Sequence, residues 1–312
     1  MEIRKTIIPK SKKGLPLSGE REREYIYFTV KFNSFRDVSH STANEVIDKE
    51  ELKECECVLL LPEGYSDSGA PTQLIISCHG AGGKVDSERD SIGGVAYVTD
   101  LVDHGYAALD VNGSKPDGLT MGCPEHIFAL YKAYKYAISH YNLTEKVLVA
   151  GASMGGTTAL NFAHTFPSIV LSLGLFFPRI NIEGVTVGDH YCIGTFDKDE
   201  RKNGNPSTKD RVIQVFRMPS EEWCEENVIG FDPFRTRSFI GMDGKRVVIP
   251  PCPIKIWQGT ADKVVDPVMI KEFVDSIHRS SSYAELHLME GVAHDINGVM
   301  KTELEMWFNR FI

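Results

Sequence analysis

The sequence predicts an α/β fold: a mostly parallel central sheet, helices on both faces and an inserted cap or lid. Three observations carry that expectation. Short apolar, β-prone runs alternate with segments whose apolar residues recur at helical spacing. One such run, residues 146–150, passes through Gly151-Ala152-Ser153-Met154-Gly155-Gly156 directly into a helical pattern. The alternation then stops from about residue 177 to 251, where charge, Gly and Pro dominate, and afterwards resumes.

Residues 1–52 read as an N-terminal extension. They start polar and irregular around 10–14, then turn β-prone at Tyr25-Ile26-Tyr27-Phe28-Thr29-Val30, an edge strand or hairpin. Residues 55–62 make a strand stopped by Pro62, and 73–78 an almost wholly apolar one, as burial on both faces requires. The glycine-rich loop His79-Gly80-Ala81-Gly82-Gly83 follows it. A helix is expected around 94–103, a strand at 106–110 and a helix at 125–141. After the strand at 146–150 come a helix over 156–164, closed by Phe166-Pro167, and a strand at 169–175.

Residues 179–249 are too long for an ordinary loop and read as the cap, with isolated aromatics Trp223, Phe231, Phe234 and Phe239. A strand at 254–258, a helix at 267–279, a strand at 284–289 and a helix at 297–311 complete the order. The core is therefore expected over 53–178 and 250–312.

Composition narrows the function classes. A net charge of −9 with no basic cluster argues against nucleic-acid binding. No apolar run reaches the roughly 20 residues of a membrane span, and the start lacks a secretory signal's apolar core. Seven cysteines are scattered without paired Cys-x-x-Cys elements, so no zinc site or disulfide framework is signalled. Reduced, packed thiols in a cytoplasmic protein are expected, with no cofactor and no metal.

A strand, a tight turn and a helix with Ser153 at the apex form a nucleophile elbow. The neighbours must be small because the turn is strained and bulky side chains would collide across it. Serine is a poor nucleophile without a base. His294, in Glu290-Gly291-Val292-Ala293-His294-Asp295, follows the last strand and so falls at the same sheet edge. Asp262, in Gly259-Thr260-Ala261-Asp262, follows the preceding strand and would orient the imidazole. Asp266 is the rival acid, but it precedes Pro267 and reads better as a helix cap.

The order Ser153, Asp262, His294 and these glycine-rich loops resemble the α/β-hydrolase superfamily. The likeness covers roughly 53–178 and 250–312, and is greatest to prolyl-oligopeptidase-like and acetyl-esterase-like serine hydrolases. It implies an α/β-hydrolase fold and an oxyanion hole built from the Met154 amide and one amide of the 79–83 loop. By alignment to the His-Gly-Gly-Gly pattern of related esterases, the resemblance puts Ala81 first in line for that second donor and Gly82 next, and Ala81 is where this loop departs from the triple-glycine form. The resemblance implies hydrolysis of small carboxylic esters through an acyl-enzyme. A serine peptidase acting on short peptides is the nearest alternative. A non-catalytic ligand-binding module on the same fold is the alternative from another class.

Other residues have plainer readings. His79, Trp223 and Phe234 are candidate substrate contacts, with a core histidine and a small satellite core as the competing interpretations. His126 reads as a helix-start residue, Asp295 as solvated, and His104, His140 and His164 as cations complementing helix C-termini.

Overall fold

The computed structural model describes residues 4–9, 22–33, 52–113, 120, 122–180, 233–234 and 236–312. In chain order the first strands are β1 (Arg4–Pro9), β2 (Glu22–Asn33), β3 (Leu52–Leu60) and β4 (Leu74–Cys78). The short strands β5 (Val85–Asp86) and β6 (Ser91–Ile92) pair with each other, and a 3-10 turn, Gly93–Tyr97, leads to helix α1 (Thr99–Asp103). Then come β7 (Ala107–Val111), α2 (Pro124–His140), β8 (Val147–Ala152), α3 (Met154–Thr165) and β9 (Val170–Phe176). A two-stranded hairpin, β10 (Ser238–Ile240) and β11 (Arg246–Val248), precedes β12 (Ile254–Gly259), α4 (Pro267–His278), β13 (Ala284–Met289) and α5 (Gly298–Phe308).

Among the described residues nine strands form the main sheet in the order β1-β2-β3-β7-β4-β8-β9-β12-β13. From β7 to β13 every neighbouring pair is parallel, whereas β1, β2 and β3 run antiparallel to their neighbours. The register aligns the strand ends: Cys78 opposite Gly151, Ala152 opposite Phe176, and Gly259 opposite Met289. The carboxyl ends of β4, β8, β9, β12 and β13 therefore share one rim, where ligands bind in open α/β sheets.

Alternation of side chains across the strands builds a core on each face. Val147, Val149 and Ile256 pack with Leu130, Phe162 and Phe273 on one side. Leu148, Ala150 and Trp257 pack with Leu101, Leu304 and Trp307 on the other. Each fully buried large side chain contributes about 1.5–3 kcal/mol, so the sheet is a rigid platform for the rim loops.

Two sequence expectations are corrected. The helix expected around 94–103 is a 3-10 turn followed by the five-residue α1, with Val98 (φ −121°, ψ 14°) breaking the run between them. Gly94 is pressed against β4, where an added methyl would lie 2.2 Å from the Ser77 carbonyl oxygen, so the segment follows the sheet rather than an α-helical path. His164 is no cation: burial, then the Arg237 charge, push its pKa down to about 4, so it is neutral near pH 7.

Of the segment read as a cap, residues 179–180, 233–234 and 236–249 are described; Trp223 and Phe231 lie outside the described residues. Among the described residues no helix is long and apolar enough to cross a membrane, and Cys55, Cys57, Cys78, Cys123 and Cys252 are free thiols.

Candidate active site

Ser153 stands between β8 and α3 with φ +53° and ψ −118°, in left-handed space that side chains rarely occupy. The chain around it explains that tolerance. Its amide donates to the Phe176 carbonyl (3.0 Å), and its carbonyl accepts from the amides of Gly156 and Arg179 (2.9 Å each). The flanking glycines are sterically required. A methyl on Gly151 would lie 2.3 Å from the Gly155 oxygen, one on Gly155 2.1 Å from the Cys78 oxygen, and one on Gly156 2.3 Å from Pro178 Cβ. The elbow is thus clamped between the ends of β4 and β9.

Asp262 follows β12 and His294 follows β13, and the two meet: His294 Nδ1 lies 2.8 Å from Asp262 Oδ2. The Asp262 side chain is fully buried, while that of His294 is 22% exposed. Asp262 Oδ1 accepts from the amides of Val264 (2.8 Å) and Val265 (3.0 Å), and Oδ2 also accepts from Gln258 Nε2 (3.0 Å). Burial works against the charge of Asp262. The bond to His294 and the Val265 and Val264 amides outweigh it and hold the carboxyl below its ordinary range.

Asp266 does something else: it caps α4, its Oδ1 accepting from the Val268 amide at 2.8 Å. Asp295 is exposed beside His294.

No hydrogen bond joins the Ser153 hydroxyl to His294 among the described residues. What links their neighbourhoods is Phe177, immediately past β9. Its ring centroid is 4.2 Å from that of His294, and its amide donates to the Trp257 carbonyl at 2.7 Å. Sequence reasoning missed Phe177, because it is the residue at which the regular pattern ends.

The Met154 amide opens α3 and has no intrahelical acceptor. In the 79–83 loop the Gly80 amide donates to the Tyr97 hydroxyl (3.0 Å) and the Gly83 amide to the Gly80 carbonyl (3.0 Å). The Ala81 and Gly82 amides make no hydrogen bond among the described residues, and both residues are exposed.

The expected substrate contacts fare differently. His79 is corrected: its side chain is fully buried, and its Nδ1 lies 2.8 Å from the equally buried Asp110 Oδ2. That oxygen also accepts from the Gly94 amide (2.7 Å), so the pair ties the loop to the sheet. The ring of His126 lies 5.9 Å from that of His79, and burial, then His79, push its pKa down to about 3. Phe234 is half-buried: its ring faces Phe273 of α4 (6.0 Å between centroids), lies under Arg246 and packs against the core on that side of the sheet.

Among the described residues no group of acidic, Cys and His side chains is arranged to hold a metal.

No family model and no curated protein matches this sequence. Solved structures do match. A puromycin-hydrolyzing peptidase of Mycobacterium tuberculosis superposes with a TM-score of 0.56 at 15% identity, over 81% of this chain and 36% of that one. An acylaminoacyl peptidase of Pyrococcus horikoshii gives 0.58 at 13% identity, over 94% and 46%. A propionate-bound esterase of Thermogutta terrifontis gives 0.50 at 15% identity, over 82% and 88%. The chain spans only about a third of the length of the first peptidases it matches. At such identities the likeness speaks for the fold, and the fold is that of the α/β-hydrolases.

Proposed function

We propose that this protein is a serine hydrolase that cleaves small carboxylic esters through a covalent acyl-enzyme. One observation carries the reading: a solvent-reachable imidazole is hydrogen-bonded through Nδ1 to a buried carboxylate, on the same sheet rim as a strained, elbow-borne serine. That arrangement supplies the three roles acyl transfer needs.

In this scheme Ser153 Oγ attacks the ester carbonyl and His294 Nε2 takes its proton. Asp262 keeps Nδ1 protonated, selecting the tautomer whose Nε2 is free, and stabilises the imidazolium once formed. The Met154 amide and that of Ala81 or Gly82 receive the developing oxyanion; one such donor is worth about 3–4 kcal/mol of barrier. His294 returns the proton to the departing alcohol. Water, deprotonated by the same imidazole, then releases the acid. The bond between Ser153 and His294 forms as substrate binds, a tightening common to such sites.

The motif resemblance and the likeness to a propionate-bound esterase support short acyl chains. A peptidase acting on short peptides is the second reading, and the likeness to two peptidase folds favours it. The free thiols fit a cytoplasmic protein. Nitrophenyl esters of increasing chain length, assayed beside aminoacyl anilides, decide the substrate. Turnover should be greatest on acetyl to butyryl esters, and a preference for anilides would transfer the assignment to the peptidase.

A further inference from the structure

Tyr97 closes the 3-10 turn at Gly93–Tyr97, a segment to which the proposed mechanism gives no part. This turn is held from two sides: Ser77 Oγ donates to the Gly94 carbonyl (2.6 Å), and the Gly94 amide donates to Asp110 (2.7 Å). It therefore delivers Tyr97 to a fixed place. That place is the loop of the proposed oxyanion hole, where the Tyr97 hydroxyl accepts from the Gly80 amide at 3.0 Å. A methyl built on Gly80 would lie 3.4 Å from this hydroxyl and 3.5 Å from Ser153 Cβ, so the phenol and the serine flank one small gap.

A phenol has one proton to donate besides the lone pairs with which it accepts. Here the Gly80 amide occupies the acceptor side, and among the described residues no group accepts the proton. Burial outweighs the opposing bond from the Gly80 amide and, with the Asp110 charge, pushes the phenol's pKa up, so the proton is in place at neutral pH.

We infer that Tyr97 is a further catalytic residue, whose hydroxyl donates a third hydrogen bond to the oxyanion forming at Ser153. This rests on the serine-hydrolase reading. No proton changes hands: the phenol keeps its hydrogen, and the bond strengthens as the carbonyl oxygen gains charge. The Gly80 amide orients the hydroxyl, which also explains why that amide is not itself spent on the substrate.

The experiment is Tyr97→Phe assayed on nitrophenyl acetate and its thiono analogue, whose sulfur is a poor hydrogen-bond acceptor. The turnover of the oxygen ester should fall about 100-fold with KM nearly unchanged. The thiono ester should lose much less, so the oxygen-to-sulfur rate ratio drops. A structural tyrosine would slow both substrates equally or lower only the melting temperature, and either result overturns the role. Replacing Tyr97 with 3,5-difluorotyrosine keeps the fold and acidifies the phenol; activity should then be lost at a lower alkaline pH, and an unmoved limb overturns the role as well. Ser153→Ala, run alongside, tests the underlying reading separately. If it retains turnover, the hydrolase assignment falls; if it is inactive while Tyr97→Phe is unimpaired, only the tyrosine role does.

Discussion

The ring of Phe177 lies 4.2 Å from that of His294, centroid to centroid, with 47° between their planes. Phe177 reaches that position at φ +37°, a conformation costing a bulky residue on the order of 1–3 kcal/mol. Its amide, bonded to the Trp257 carbonyl, and the tightly packed β9–β12 pair hold it there. The ring supplies a wall that limits where the imidazole can turn. Phe177→Leu keeps an apolar side chain but gives up the flat face, and should lower kcat about 10-fold with a smaller effect on KM. Steady-state kinetics on a short ester check this; an unchanged kcat would remove Phe177 from the site.

Asp262→Asn leaves an oxygen to accept from the Val264 and Val265 amides, so the loop after β12 should keep its shape. What changes is the group facing His294 Nδ1, which is no longer obliged to carry the proton, and Gln258 Nε2, which loses that acceptor. The expected loss is about 10³–10⁴-fold in kcat with the fold retained. Circular dichroism and ester kinetics on the same preparation test it, and a loss under tenfold would contradict the assigned role.

Gly155→Ala should be among the most damaging single-methyl changes in the chain. The new Cβ would sit 2.1 Å from the Cys78 carbonyl oxygen, a backbone atom that can move only if β4 moves. A cost of about 3 kcal/mol is expected. Gly82→Ala is the contrast: nothing lies within 4 Å of its added methyl, and only the φ of +87° opposes it, at roughly 1 kcal/mol. Chemical denaturation of both variants measures the difference, and equal costs would contradict the packing argument.

Acid sensitivity follows from depressed carboxyls, Glu303 and Asp262 among them. Burial opposes the charge of Glu303, but bonds from the Trp257 indole, His287 and Lys255 outweigh it and hold its pKa at about 2. Asp262 is depressed as well. A carboxyl with a lower pKa folded than unfolded adds stability that is whole above its unfolded value, near 4, and fades as pH falls through the folded one. Stability should therefore drop between about pH 4 and pH 2, and Glu303→Gln should flatten that slope. Denaturant titrations across this range test it; parallel slopes for wild type and variant would contradict the account.

Much of this was legible beforehand, for a definite reason. A parallel sheet buried on both faces leaves near-continuous apolar runs, and the candidate site residues stand where those runs stop. Ser153, Asp262 and His294 each follow such a run, and the capping role of Asp266 was signalled by Pro267. The 93–97 turn was not legible, because its path is dictated by the contact of Gly94 with β4, on a strand sixteen residues earlier. Phe177 was not legible either, since no local pattern marks a phenylalanine that must adopt positive φ. His79 misled as a substrate contact because sequence shows residue type and not burial; Asp110 is the distant partner that draws it inward.

The central claim is that Ser153 is a nucleophile activated by the His294–Asp262 pair. Intact-protein mass spectrometry after treatment with a fluorophosphonate tests it most directly. Wild-type protein should gain one phosphonyl group, mapped by peptide analysis to Ser153, while folded Ser153→Ala gains none and His294→Ala reacts at least 100-fold more slowly. A folded wild-type protein that stays unlabelled, or an adduct carried equally by Ser153→Ala, would contradict the claim.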